Sequence, residues 1–286
     1  MLRNMIMAIV GVVCSVLLVI GCLYIYYFAK WKHLWALDAR QPVYEVSTDR
    51  DNALRVLLIG DSWAGMHTER GMDSYLQQQL AALTGDRVEV RSKGKGGEKT
   101  KGIYRLMFQT EGYGTKPLLM EGADYCVVFA GINDAAANLG VRQYCYYYRL
   151  ILDFLLTNHI RPVVVEIPDV NIWRVYGSKP LKDHLSDYVK SRMTNCRMYN
   201  FQEYREGLCK MLEEEHLMER VIYVRMDLWN KKSPAIDRAL FLDDEIHLNR
   251  EGYEQLDACI ARAIAEIWIL GHSFSYAVYQ PVDGDA

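Results

Sequence analysis

No basic excess marks this sequence of 286 residues. Its formal net charge is −3, whereas a chain built around nucleic-acid binding carries a strongly positive balance. The cysteines form no framework either. Cys14 and Cys22 lie in the first apolar stretch, and Cys126, Cys145, Cys196, Cys209 and Cys259 are odd in number and lack metal-type spacing, so neither a disulfide scaffold nor a zinc site follows. No internal repeat or low-complexity segment is evident, which removes solenoids and repeat arrays. A nucleotide loop is missing as well. Registering Lys99-Thr100 as the end of a phosphate loop requires glycine at positions 93 and 98, which hold Lys93 and Glu98. No cofactor and no metal is expected.

What is present begins with "MIMAIVGVVCSVLLVIGCLYIYYF", residues 5–28, with no charge over 24 positions, enough for a helix to cross a hydrocarbon core of ~30 Å. Tyr24, Tyr26, Tyr27, Trp31 and Trp35 cluster at its far end, where amphipathic rings suit the headgroup region. A cleaved signal is the competing reading, because Val19-Ile20-Gly21-Cys22 has the look of a lipoprotein processing site. The run is longer than a usual signal core and continues into "LYIYYF", so an uncleaved anchor is favoured. Arg3 stands before the span and Lys30, Lys32 and Arg40 after it. A count of flanking positives would therefore leave the following domain in the cytoplasm.

Beyond residue 53, five apolar segments read as buried strands: 56–59, 88–90, 125–130, 162–167 and 221–224. Amphipathic helices separate them, with one stripe through Met72, Tyr75, Leu76, Leu80 and Leu83 and another through Val141, Tyr144, Tyr148, Ile151 and Leu155. Strands alternating with helices imply right-handed crossovers and a parallel sheet covered on both faces, an α/β three-layer α/β/α sandwich. The expected division is an anchor over 1–30, a linker over 31–53, one domain over 54–271 and an irregular tail over 272–286. In such a sheet, ligands gather beyond the carboxyl ends of the strands.

Four stretches fall at those ends. "RVLLIGDSWAG" closes the first strand on Gly60, Asp61 and Ser62; "SKGKGGEKT" follows the second; "FAGIND" ends the third in Gly131 and offers Asn133 and Asp134. "DDEIHLNREGY", residues 243–253, precedes the last helix, with Asn249 placed as its N-cap. There Asp244 and His247 are close enough for the carboxylate to orient one imidazole nitrogen while the other faces a nucleophile. Each stretch alone is an ordinary turn or surface pair.

Together, in this order, they resemble the SGNH hydrolases, the GDSL-type esterase and lipase superfamily, over nearly the whole chain after the linker. The resemblance implies a five-stranded, flavodoxin-like sheet and a serine esterase that works through an acyl-enzyme. It puts the nucleophile on Ser62 and the rest of a triad on Asp244 and His247. It builds an oxyanion hole from the Ser62 amide, Gly97, with Gly94 the weaker candidate, and Asn133. The Gly-x-Ser-x-Gly elbow of α/β-hydrolases is absent. Two positions depart from the family pattern: Trp63 stands where the name motif has Leu, and Ser92 where the second block commonly opens with Asn.

The expected substrate is a short acyl ester, an acetyl group on a carbohydrate or envelope glycan, or another small ester. The domain is then expected outside the cytoplasm, against the flanking lysines. Trp173 and Tyr176, after the fourth strand, are candidates to stack on a sugar ring and equally candidates for core. Arg91, Lys93, Lys95, Lys99, Lys101 and Arg105 form a basic run that reads first as a solvated face. The alternatives are a membrane-anchored O-acyltransferase working with a multi-span partner, a lysophospholipase or thioesterase, and a non-catalytic glycan-binding module.

Overall fold

A computed structural model describes residues 2–48, 53–170, 176–229 and 238–278. In chain order its elements are helix α1 (Leu2–Trp31), a 3-10 turn (Lys32–Trp35), strand β1 (Ala53–Gly60), α2 (Ser62–Glu69), α3 (Met72–Thr84) and β2 (Arg87–Gly94). Then come α4 (Thr100–Leu106), α5 (Lys116–Met120), β3 (Tyr125–Phe129), α6 (Ile132–Ala136), α7 (Val141–Thr157) and β4 (Arg161–Val165). The chain continues through α8 (Leu181–Thr194), α9 (Phe201–Glu214), β5 (Ile222–Val224), α10 (Met226–Trp229) and α11 (Arg250–Val278).

The five strands form one sheet in the order β2-β1-β3-β4-β5, and every pair is parallel. This is the expected α/β sandwich, with the order reversing between β1 and β3. The crevice outside that reversal is where such sheets bind ligands. β3 is buried along its whole length and β1 nearly so, which explains their continuous apolar runs. β2 lies at the edge and alternates exposed and buried residues at its start. Polar residues therefore extend it and β1 beyond their apolar stretches, and Arg55 pairs with Glu89 across them at 3.7 Å.

Two segments differ from expectation. The last helix runs to Val278, so the stretch from residue 272, read as an irregular tail, opens as helix. Nothing from Gly271 to Val278 breaks an i→i−4 ladder except one glycine, and the next proline is Pro281. The segment read as a linker is strapped to the domain through its described part. The Gln41 and Asp38 amides donate to the hydroxyls of Tyr104 and Tyr147, and Tyr44 donates to the Met107 carbonyl. Asp38 also pairs with Lys101 and Arg105 at 3.0 and 2.7 Å.

Among the described residues, one helical stretch, Arg3–Leu34, is long and apolar enough to cross a membrane. Its C-terminal end is covered, with Tyr27 and Leu34 buried, while Ile6 through Ile25 leave most large apolar side chains bare.

Candidate active site

β1 can end so sharply only because residue 60 is glycine. Its φ is +155°, and a Cβ there would fall 2.1 Å from the Phe129 carbonyl oxygen. The chain turns directly into α2, whose N-cap is Asp61. The Asp61 carboxylate accepts from the Trp63 amide at 3.0 Å, satisfying one of the open N–H groups of the first turn. Ser62, the first residue of that helix, is thereby presented at the carboxyl edge of the sheet. It is half-buried.

His247 arrives from the other end of the chain. Phe241 and Leu248 form an antiparallel bridge, the Leu242 amide donates to the His247 carbonyl at 2.7 Å, and Asn249 caps α11 by accepting from the Gly252 amide at 2.9 Å. Within this tight loop, Nδ1 of His247 lies 2.6 Å from Asp244 Oδ2, and Nε2 lies 2.8 Å from Ser62 Oγ. Burial works against ionisation of Asp244, but hydrogen bonds from the His247 ring and the His247 and Ile246 amides outweigh it and hold the carboxyl below its ordinary value. An ionised Asp244 accepts from Nδ1–H. Nε2 is then the lone-pair nitrogen, facing a hydroxyl that can donate to it. The His247 and Asp244 side chains are 24% and 44% exposed, so the pair is open to solvent and to a substrate.

Asn133 stands at the start of α6, next to Gly131. That glycine has φ +121° and no room for a Cβ, which would lie 2.4 Å from Ile167 Cδ1. The Asn133 Nδ2 donates to the Glu98 carbonyl at 3.0 Å and to Asp61 Oδ2 at 3.3 Å. Because a carbonyl only accepts, this contact fixes which way the amide points. Asp134 faces away and caps α4, accepting from the Thr100 amide and hydroxyl at 2.9 and 2.8 Å. Burial pushes the Asp61 carboxyl up to about 7, with the charge of Asp134 adding to it. Burial likewise pushes Asp134 up to about 6.

The two glycines of the second stretch are placed differently. Gly94 ends β2 against the Ser62 turn, where a Cβ would fall 2.2 Å from the Asp61 carbonyl oxygen. Gly97 has φ +70°, and a Cβ there would meet nothing within 4 Å. Among the described residues, neither the Gly97 nor the Ser62 amide donates to a backbone carbonyl. Both are available to a ligand.

The basic run disperses into local pairs. Arg91 pairs with Glu121 and Lys95 with Glu98, Lys101 and Arg105 hold Asp38, Lys93 caps the Gly114 carbonyl, and Lys99 reaches the Gly97 carbonyl. Trp173 lies outside the described residues. Tyr176 stacks on Tyr199, with ring centroids 5.9 Å apart, and carries the Lys179 ammonium 4.3 Å from its own centroid.

Trp63 is the supporting residue whose role the sequence did not disclose. It is buried, its Nε1 donates to the Ile246 carbonyl at 3.2 Å, and its own carbonyl accepts from Tyr253 at 3.0 Å. It thus ties the Ser62 helix to the residue just before His247. Its departure from the family motif was the available signal.

Beside Asp61 and Trp63 lies a hollow of about 10 Å³, walled by Phe129, Ile132, Val165 and Ile167. A roomier cavity, about 420 Å³, is lined instead by Leu34, Leu37, Leu139, Val141 and Met193. Ser62, Asp244 and His247 do not line it.

The model of the GDSL-like lipase/acylhydrolase family matches residues 58–255. Among solved structures, a protein of the G-D-S-L family from Desulfitobacterium hafniense superposes with a TM-score of 0.52 at 16% identity, covering 73% of this chain and 98% of its own. An acetylxylan esterase from Geobacillus stearothermophilus gives a TM-score of 0.52 at 14% identity, over 74% of this chain and 94% of its own. At such identities the likeness is one of fold. No curated protein matches the sequence.

Proposed function

The chain belongs to the GDSL-like lipase/acylhydrolase family, whose members cleave acyl esters, and from that premise we propose that Ser62, His247 and Asp244 are its catalytic triad. The observation that carries this reading is His247 itself, with Nε2 at 2.8 Å from Ser62 Oγ and Nδ1 at 2.6 Å from Asp244. His247 Nε2 takes the hydroxyl proton as Ser62 Oγ attacks the ester carbonyl, and Asp244 stabilises the imidazolium that forms. Collapse of the tetrahedral intermediate breaks the ester C–O bond. The imidazolium returns its proton to the departing alkoxide, and water, activated by the same nitrogen, releases the acid and regenerates Ser62.

The oxyanion would be met by the amides of Ser62 and Gly97 and by Asn133 Nδ2. The open space around Gly97 supports it over Gly94, whose packing against Asp61 gives it a structural task. At Asn133, the 3.3 Å contact to Asp61 is the weaker of its two and the one an oxyanion displaces.

The favoured substrate is a short acyl ester, an acetyl group on a carbohydrate. The open placement of the pair supports it, since the His247 and Asp244 side chains are 24% and 44% exposed and a group carried on a bulky carbohydrate can reach them. The Geobacillus esterase of the same fold makes acetylated xylan a reasonable first polymer to try. The α1 helix is read as a single-pass anchor, with the domain on the outer side of the membrane.

The test is the full-length protein with a short-chain ester, with and without glycan acceptors, measuring free acid and acylated sugar separately. Ser62→Ala is expected to lose turnover and labelling by a serine-directed phosphonate while keeping its circular dichroism. Undiminished labelling would overturn the assignment. Acylated sugar accumulating with negligible free acid would replace hydrolysis by transfer, the chemistry a multi-span partner would feed.

A further inference from the structure

α1 does not reach the domain through a loose tether. Positions 182, 186 and 190 of α8 lie four apart, on one helix face, and all three meet the end of α1. The Tyr27 hydroxyl donates to the Lys182 carbonyl at 3.1 Å, Trp31 Nε1 donates to Ser186 Oγ at 2.9 Å, and the Lys190 ammonium lies 4.8 Å from the Trp31 ring centroid. Lys190 is itself locked. It is buried, paired with Asp187 at 2.5 Å and bonded to the Ala137 carbonyl at 2.9 Å. Ala137 closes α6, the helix that carries Asn133.

These contacts begin at Tyr27, inside the uncharged run of residues 5–28. A helix rises ~1.5 Å per residue, so the start of α8 lies level with the last turn of the apolar span. The first residue of α8, Leu181, is 84% exposed. Lys182 beside it is exposed, as are Lys30 and Lys32 at the end of α1. A bare leucine among lysines, at the depth where hydrocarbon gives way to headgroups, has the chemistry of an interfacial contact with anionic lipid. In the other direction, the Lys190–Ala137 bond ties this joint to α6 and so to Asn133.

We propose that the start of α8 rests on the bilayer that α1 enters, so that the Ser62 site is held at the membrane surface. Its substrates are then acyl esters borne by membrane amphiphiles whose polar heads lie at that surface. The proposal rests on the esterase and anchor readings above. It assigns to the rigid α1–α8 joint a task that a flexible tether could not perform, namely fixing the height and orientation of the site.

The experiment uses the full-length protein in nanodiscs containing phosphatidylglycerol, with two substrates: soluble p-nitrophenyl acetate, and an acetylated glycolipid embedded in the same disc. The uncoupled variant carries Trp31→Ala and a flexible Gly-Ser insertion of ~12 residues between Trp35 and Ala36. Its kcat/KM is expected to fall about tenfold or more on the embedded ester, through the loss of effective concentration, and to hold on the soluble one. Equal effects on both substrates would overturn the proposal. Ser62→Ala separates the layers: if it still cleaves both esters, the esterase reading fails, whereas if it cleaves neither and uncoupling changes nothing, only the docking fails. A second measurement needs no insertion. A benzophenone side chain in place of Leu181 is expected to cross-link lipid in native membranes, and one in place of Leu83 on α3 is not. Adducts at both positions, at neither, or to a protein instead of lipid at position 181 would overturn the bilayer contact.

Discussion

At the scale of single residues, the site depends on groups that are aimed by their neighbours. Asn133 is aimed by the Glu98 carbonyl and the Asp61 carboxylate. Asn133→Ala removes the proposed oxyanion donor and is expected to lower kcat by ~10²-fold or more with KM little changed. Steady-state kinetics on a short-chain ester decides it, and an unchanged kcat would leave Asn133 as a turn residue. Trp63 acts at one remove. Trp63→Phe keeps an aromatic ring near Phe129 and Tyr253 but deletes the Nε1–H bond to the Ile246 carbonyl. A lost neutral hydrogen bond is worth ~1 kcal/mol, so a kcat loss of about fivefold is expected. Phosphonate labelling of Ser62 should slow in parallel, and an unaltered labelling rate would show that the His247 loop holds its place without this tie.

At the scale of elements, the helix bearing Ser62 is clamped from behind. His67, on α2, has no exposure and puts Nδ1 2.7 Å from Asp73 on α3 and Nε2 3.0 Å from Asp257 on α11. Both ring nitrogens face carboxylates, so both donate and the ring is an imidazolium. Burial opposes that charge, but the hydrogen bonds and charges of Asp257 and Asp73 prevail and raise the histidine from 6.5 to about 9. A folded-state value above the unfolded one means that the folded protein binds the extra proton. The contribution is therefore full below about 6.5 and is lost as pH rises through about 9. Urea unfolding should show His67→Gln well below the wild type at pH 6, with the gap closing toward pH 10. A gap independent of pH would mean that the clamp works by packing alone.

At the scale of the whole molecule, the long apolar helix is tied to the sheet domain, because the strap after α1 is bonded to α4 and α7. The full chain is expected to stay in the membrane pellet after carbonate washing, and fractionation of expressing cells checks it. Trimming the chain through residue 35 should cost more than the anchor. It removes Tyr27 and Trp31, which α8 holds, and Leu34, whose carbonyl accepts from Gln143 at 2.9 Å. A truncation starting at Ala36 is expected to melt several degrees lower than one starting at Tyr24, by scanning calorimetry.

The features legible in sequence were those written in local order. Gly60 through Ser62, Gly131 through Asn133 and Asp244 through His247 each place their groups within a few residues. An apolar run ahead of each of the first two marks the strand that presents them. Sheet membership followed from the same periodicity, because a buried parallel strand has to be apolar on both faces. What the tertiary structure alone decided involves partners far apart in the chain. The contact between Ser62 and His247 joins residues 185 positions apart, Trp63 reaches Ile246 across 183, and His67 meets Asp257 across 190. No period or motif records such pairs, because hydrogen bonds and ion pairs are set by where packed helices bring side chains, not by spacing along the chain. For the same reason, residues 36–48 read as a linker, lacking any helical or strand period, while their backbone and side chains find partners on α4 and α7. Chemistry was readable from residue types in order, but the orientation of that chemistry, toward its own helices and toward the end of α1, came only from packing.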